Sequence, residues 1–216
     1  MIARVAVALG VAALAGCSHP ARSTVVSTTE PSDYPCVLHD PRTLAHDFMV
    51  RQRLAIHARH DGQPVDGALD AVVQKQGDTL LVVGFGPMNV KAFTLTHRGD
   101  RIEFVQFLGP ALPFSPRNIV VDVHRVYFKQ LPPPRDPAYS GVMRGELDGE
   151  TVEETWRDGQ LRARVFTRPG GALHGAVRVE LGPGCTAARC EPASATLRNE
   201  WFDYTLTITS EAYEAL

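Results

Sequence analysis

Few side chains in this sequence have the types and spacing that catalysis requires. It contains no GxSxG, HExxH or SxxK motif and no glycine-rich phosphate-binding loop. His57 and His60 flank a predicted turn, which is typical of solvated histidines at strand ends. Asp122 and His124 lie two positions apart on a predicted helix and therefore point in different directions. We expect no enzyme activity, no metal site and no cofactor.

The first seventeen residues carry the clearest chemical signal, and it concerns export. Arg4 precedes an apolar segment, residues 5–16, that is shorter than the ~20 residues of a bilayer span and typical of a secretion signal. The segment ends in the letters LAGC at Cys17, and small residues before a cysteine resemble the lipobox of bacterial lipoproteins. The resemblance implies cleavage before Cys17, a diacylglycerol on its thiol and acylation of its new amine. The alternative is an ordinary signal peptide followed by a chance cysteine.

The residues after Cys17 predict the cellular location of the protein and a linker before its folded domain. In proteobacterial lipoproteins an Asp at this point resembles an inner-membrane retention signal, so Ser18 implies a lipid anchor in the outer membrane, facing the periplasm. Residues 18–35 are rich in Ser, Thr and Pro and have no apolar periodicity, which is typical of a linker. We predict three parts: a signal peptide (1–16), a lipidated N-terminus with a flexible tether (17–39) and one folded domain (40–216).

Lipidation of Cys17 would leave three cysteines for other roles. Cys185 and Cys190 bracket four residues, and an oxidising compartment permits a disulfide that closes this small loop. We favour that bridge, and a pairing of Cys36 with one of the two is the alternative. Three thiols cannot all pair, so one remains free.

Composition excludes one class of partner. The chain has 216 residues, 44% of them hydrophobic, and 22 Lys and Arg against 24 Asp and Glu give a formal net charge of −2. Because no excess positive charge is available to neutralise phosphates, we expect no nucleic-acid binding. We expect a monomer whose partners are the membrane, through the lipid anchor, and a lipid or lipoprotein ligand.

Alternation of apolar and polar residues predicts a protein that is mainly β. Tyr204, Leu206 and Ile208, for example, alternate with threonines, and pairs such as Asp148-Gly149 supply tight turns between such runs. The pattern predicts eleven strands, five before residue 106 and six after residue 140. Successive strands joined by tight turns must be antiparallel.

Two segments predict helices. Asp40-Pro41 favours a short helix over 41–47, because an N-cap residue precedes a proline. Ser115-Pro116 and the valine spacing after it predict an amphipathic helix over 116–129 that lies on the sheet, with Asp122, Arg125 and Lys129 on its polar side. A β-branched strand is the alternative for that segment. The predicted fold is a strongly curved antiparallel sheet, a half-open barrel, with one or two helices covering its mouth.

Three segments of this sequence resemble an uncharacterised family of bacterial outer-membrane lipoproteins, a domain of unknown function. They are 86–107 (GPMNVKAFTLTHRGDRIEFVQF), 112–128 (LPFSPRNIVVDVHRVYF) and 197–210 (LRNEWFDYTLTITS). That family is similar to the LolA/LolB lipoprotein carriers and receptors. The resemblance covers about residues 50–210 and implies an eleven-stranded half-barrel, closed by helices, whose apolar concavity holds acyl chains.

The function that this resemblance implies is the binding or relay of a hydrophobic molecule, such as an acyl chain or another lipid, in envelope biogenesis. If the sheet encloses a cavity, its lining combines inward-facing strand residues with residues of the helix that covers it. The alternative is an accessory lipoprotein with a filled barrel that docks on an envelope or pigment-biosynthesis assembly. The expected ligand-binding residues are Phe93, Leu95, Phe104, Tyr204, Leu206 and Ile208 on strands, and Val123 and Tyr127 on the helix.

Overall fold

The computed structural model describes residues 21–29, 32–44, 46–60, 62–109, 114–170 and 173–216. The predicted signal peptide and Cys17 lie outside these residues. Twelve antiparallel strands in the described part of the chain form one sheet. They are β1 (Arg22–Ser27), β2 (Phe48–His60), β3 (Gln63–Gln76), β4 (Thr79–Phe85), β5 (Lys91–Arg98), β6 (Arg101–Gln106), β7 (Gly141–Leu147), β8 (Glu150–Arg157), β9 (Gln160–Thr167), β10 (Val177–Leu181), β11 (Ser194–Asn199) and β12 (Tyr204–Ala215).

The sheet consists of two meanders that meet at its centre. Strands β2–β6 form one and β7–β12 the other, and β2 pairs with β12 between them. Strand β1 adds to the outer edge of β6, whereas β7 forms the opposite edge, and these two edges are not paired with each other. The sheet is therefore an open half-barrel, as the sequence predicted.

Asp-Gly turns determine the register of the second meander. Asp148 and Gly149 have φ of 55° and 78°, and Asp158 and Gly159 have φ of 50° and 71°. Two successive residues with positive φ suit a two-residue hairpin, because their twist matches that of the flanking strands. Each turn brings adjacent strands into an antiparallel pair.

The prediction of a flexible tether over residues 17–39 is wrong for the part that the structure describes. Residues 22–27 form β1, in which Thr24 lies opposite Phe104 and Val26 lies opposite Ile102. Tyr34 and Cys36, farther along the same segment, are buried in the core. The sheet therefore has twelve strands rather than eleven, because the β-branched residues 24–26 cover the edge of β6.

The long segment between the two meanders is helical and not a strand. The α-helix α1 (Arg117–Val123) continues with the wider hydrogen-bond spacing of a π-helix over His124–Phe128. The Ser115 hydroxyl accepts a hydrogen bond from the backbone N–H of Arg117 at 3.3 Å, while Pro116 occupies the N-cap position. The other predicted helix, 41–47, is only one 3₁₀ turn at Pro41–Thr43, capped by Asp40.

The helix is buried on more than one side. Val120 and Val126 pack in the core, as predicted, and Val121 packs there too. Arg125 and Lys129, however, are also buried, so the expected exposed polar side does not exist. Tyr34 and Pro35 contact that side, and the carboxylates of Glu150 and Asp148 pair with its two cations. None of the described helices is long and apolar enough to cross a membrane.

Candidate functional site

The concave face of the sheet is the candidate site, and its lower part is filled by side chains. At the end of the sheet near the β3–β4 turn, Phe48, Leu80 and Ile102 are buried beneath the helix. The phenol of Tyr127 on the helix donates a hydrogen bond to Oε1 of Gln52 on β2, at 2.8 Å. This contact and the packing around it hold the helix against the inner face.

The eight expected ligand residues all lie in the core or pack against it, but they do not line one cavity. The five that are buried are Leu95, Phe104, Val123, Tyr127 and Ile208. Phe93, Tyr204 and Leu206 are only partly buried and pack against that core. Tyr204 lines one cleft, whereas Tyr127 lines another at the opposite end of β2. Their binding role stays a prediction.

Toward the tip of the β2–β3 hairpin, the apolar inner face continues onto a partly exposed surface, here called the lip. It consists of inward-facing residues at the centre of the sheet, and their exposure increases toward the tip of the β2–β3 hairpin. Leu54 lies opposite Ile208, Ile56 lies opposite Leu206, and Val65, opposite Ala58, is 48% exposed. The residues of the lip are Leu54, Ile56, Ala58, Val65, Leu69 and Leu206.

Two clefts lie at opposite ends of β2. The first, of about 440 Å³, lies beside the lip and is lined by polar residues that include His57, Arg59 and Glu200. The second, of about 430 Å³, has aromatic walls, including Phe48, Tyr127, Phe128 and Tyr213, and lies beside Cys190. Phe48 stacks on Tyr213, with ring centroids 5.3 Å apart.

A carboxylate on the helix connects three parts of the chain. Asp122 accepts hydrogen bonds from the hydroxyls of Tyr34 (2.7 Å) and Tyr204 (2.8 and 2.9 Å). Burial raises the pKa of Asp122 to about 6, although both hydrogen bonds oppose the shift. Burial also raises the pKa of both tyrosines well above the usual value. The phenols therefore remain protonated donors.

Two buried ion pairs lie under the helix in the second meander, and sequence reasoning missed both. Arg125 Nη2 lies 2.7 Å from Glu150 Oε1, and Arg164 Nε lies 3.3 Å from Glu154 Oε1. The Arg125 guanidinium also lies over the rings of Tyr34, Phe166 and Trp201, 4.8–5.2 Å from their centroids. A signal was present, because the alternation of β8 places Glu154 on the same face as Val152 and Trp156.

Arg164 also fixes the end of the helix. Its Nη1 donates to the carbonyl oxygens of Arg125 and Val126, at 3.1 and 3.0 Å. These carbonyls belong to the last turn, where backbone acceptors lack helical partners. Burial lowers the pKa of Arg164 to about 10, and Glu154 opposes this shift.

Two buried histidines lie side by side on the first meander and the helix. The rings of His97 and His124 are 5.9 Å apart, and neither nitrogen of His124 has a hydrogen-bond partner among the described residues. Burial lowers the pKa of both, and His97 lowers that of His124 further. Among the residues the structure describes, no group of three His, Cys, Asp or Glu could hold a metal ion.

The structure joins Cys185 and Cys190 in a disulfide and leaves Cys36 as a buried free thiol. The bridge closes the loop that carries Ala188 and Arg189, two residues of the aromatic cleft. Cys190 Sγ also lies 3.7 Å from the carbonyl oxygen of Val126, so this loop packs against the end of the helix.

An open antiparallel half-barrel with a helix in its mouth is thus the class of fold that this chain adopts. The chain belongs to the family described as protein of unknown function DUF3261, whose model matches residues 49–212. This confirms the predicted membership of an uncharacterised family. No curated protein matches the chain.

Several solved structures are similar to it at low sequence identity. One is a domain from Vibrio parahaemolyticus described as an outer membrane lipoprotein-sorting protein, 9% identical, with a TM-score of 0.42, covering 81% of this chain and 87% of that one. A LolA superfamily protein from Nitrosomonas europaea is 8% identical, with a TM-score of 0.42 and coverage of 79% and 86%. A DUF1329 family protein from Desulfovibrio piger is 11% identical, with a TM-score of 0.41 and coverage of 81% and 87%.

Proposed function

We propose that this protein is a lipoprotein anchored through Cys17 in the outer membrane, facing the periplasm, and that it binds an acyl chain of a lipid or lipoprotein without catalysis. The lip is the observation that carries the proposal. It presents a strip of apolar side chains on three adjacent strands, next to a folded core that covers its lower end. A soluble domain gains nothing in stability from leaving such a strip in water.

The strip matches an extended alkyl chain in chemistry. Leu54, Ile56 and Leu206 offer methyl groups on one concave face, without a charged side chain among them. Each buried methylene contributes about 0.8 kcal/mol, so several methylenes on this strip offset part of the cost of leaving a bilayer. The strip and the bilayer interior are both apolar, so the free energies of an acyl chain in these two places are similar. The chain can therefore move between them.

The filled lower part of the half-barrel supports a second candidate function. Leu95, Phe104 and Ile208 are buried by neighbouring side chains and leave little room for a ligand beneath the helix. In that case the protein is an accessory lipoprotein that docks on an envelope or pigment-biosynthesis assembly. The two proposals differ in whether the folded chain carries lipid.

Native mass spectrometry of a soluble variant separates them. The chain from residue 17 onward, with Cys17→Ala to prevent acylation, is incubated with membrane extract and repurified. Lipid adducts that disappear in an Ile56→Glu variant support acyl-chain binding, since a carboxylate on the lip opposes an apolar ligand. The matched control is Ala55→Glu, one residue away on the convex face and outside both clefts, which should keep the adducts. A chain without adducts favours the docking function.

A further inference from the structure

The aromatic cleft beside Cys190 lies at the opposite end of β2 from the lip and has the size of a ligand site. Its volume of about 430 Å³ falls within the roughly 300–1,000 Å³ of small-molecule pockets. Phe48 is buried, and its ring centroid lies 5.5 Å from that of Tyr127 and 5.8 Å from that of Phe128. Tyr213 stacks on it from β12. Four rings therefore form one aromatic wall.

The polar part of the cleft is basic. Arg189, His39 and His46 line it, and none of the described residues that line it is acidic. The Arg189 side chain is 55% exposed, and its Nη2 lies 2.7 Å from Oε2 of Glu191, a side chain that is only 15% exposed. This mostly buried carboxylate holds the guanidinium in one position. A guanidinium has five N–H donors, so one ion pair leaves donors on Arg189 for a ligand.

Three contacts hold the loop that carries Arg189 in place. The disulfide at its two ends closes the loop. Within it, the Thr186 N–H donates to the carbonyl oxygen of Arg189 at 2.8 Å. From outside the loop, His46 places its Nε2 2.9 Å from the carbonyl oxygen of Ala188. The backbone at Arg189 is therefore fixed before a ligand binds, which lowers the entropy lost on binding.

The aromatic wall and the guanidinium together favour one chemical class of ligand. Phe128 and Tyr213 are only partly buried, so their rings are open to contact. A planar aromatic ring gains from offset or edge-to-face contacts with them beyond what its buried area provides, whereas an alkyl chain does not. A carboxylate suits Arg189, because a planar guanidinium can donate two parallel hydrogen bonds to it. A small aromatic acid carries both groups on one rigid frame.

We propose that the aromatic cleft binds a small, planar aromatic carboxylate. The ring of the ligand packs against Phe128 and Tyr213, and its carboxylate accepts hydrogen bonds from the guanidinium of Arg189. No residue of the lip lines this cleft, so the proposal does not depend on acyl-chain binding. The protein then has two sites of different chemistry, one for an alkyl chain and one for an aromatic acid.

Isothermal titration calorimetry of the soluble Cys17→Ala chain tests the proposal, with 2-naphthoate as the probe. The alcohol 2-naphthalenemethanol keeps the rings without the carboxylate, and decanoate, added as a competitor, keeps the carboxylate on an alkyl chain. Arg189→Gln removes the charged donor, and Tyr213→Leu removes one ring of the wall. The matched control is Arg51→Gln, an exposed position on the convex face at the same end of β2.

We expect 2-naphthoate to bind one-to-one and about tenfold more tightly than the alcohol, because only the acid pairs with the guanidinium. Its affinity should fall about tenfold in Arg189→Gln and about fivefold in Tyr213→Leu, since each variant lacks one part of the recognition. Arg51→Gln and the lip variant Ile56→Glu should bind it as the parent chain does. Absence of binding, equal affinity in Arg189→Gln, or displacement by equimolar decanoate overturns the proposal.

Discussion

The hydroxyl of Tyr204 lies 2.9 Å from Oδ1 and 2.8 Å from Oδ2 of Asp122, and it connects the central strand β12 to the helix. Tyr34, from the segment that precedes β2, donates to the same carboxylate. One side chain thus holds together the sheet, the helix and the segment that covers it. If the helix closes the half-barrel, this carboxylate is a main point of attachment.

The Asp122→Asn variant should differ from the wild type in the pH dependence of its stability. The pKa of Asp122 is about 6 in the folded protein against 3.8 as the ordinary value, so between these values the folded state holds a proton that the unfolded chain releases. The free energy of unfolding therefore falls as pH rises from about 4 to 6, by roughly 2–3 kcal/mol. The variant lacks this decrease. Urea unfolding at several pH values measures both curves, and parallel curves would contradict the prediction.

The His124→Phe variant should resist acid better than the wild type. Burial keeps His124 neutral in the folded protein, whereas the unfolded chain binds a proton below about pH 6.5. A folded-state pKa below the unfolded value contributes stability that is lost as pH falls, and phenylalanine removes this loss. Thermal unfolding of the variant and the wild type at pH 5 and pH 8 measures this difference in stability. His174→Phe, at an exposed position, is the matched control and should leave the difference unchanged.

Removal of one partner of a buried ion pair should cost much more than removal of an exposed one. Arg164 and Glu154 are both 0% exposed, so Arg164→Met leaves a buried carboxylate without its counter-charge and should cost about 3–5 kcal/mol. Glu154→Gln, added to Arg164→Met, should recover part of that loss because its amide oxygen still accepts from Leu131 N–H.

The control for this comparison is the neighbouring pair Arg144–Glu153, joined at 2.7 Å on the exposed face of β7 and β8. Arg144→Met should change the free energy of unfolding by less than about 1 kcal/mol. Denaturant titrations of the wild type and the three variants give the comparison. If Arg164→Met costs no more than Arg144→Met, the buried pair does not hold the helix.

Strand positions could be predicted because their signals are local. Strands β4, β7 and β9 each lie next to a tight turn, as the alternation of apolar and polar residues between turn residues predicts. The sequence did not predict strand β1. Its Ser- and Thr-rich segment becomes a strand only because it pairs with β6, about eighty residues later in the chain. Local composition carries no information about such a partner.

The covering of the helix could not be predicted for a related reason. The sequence pattern predicts that Arg125 and Lys129 lie on an exposed polar side, because a charged stripe on a helix usually faces water. Burial of that side depends on Tyr34, on residues 32–39 around it and on carboxylates of β8 and its turn, which the fold alone brings there. One residue of the lip, Leu206, was among those expected on the inner face.

The central claim, that an acyl chain lies on the lip, is tested most directly by photo-crosslinking. A photoreactive amino acid replaces Leu206, on the inner face of β12, or Thr207, its exposed neighbour on the outer face. After irradiation in cells, mass spectrometry should find lipid attached at position 206 and not at position 207. Attachment at neither position, or equally at both, would contradict the account.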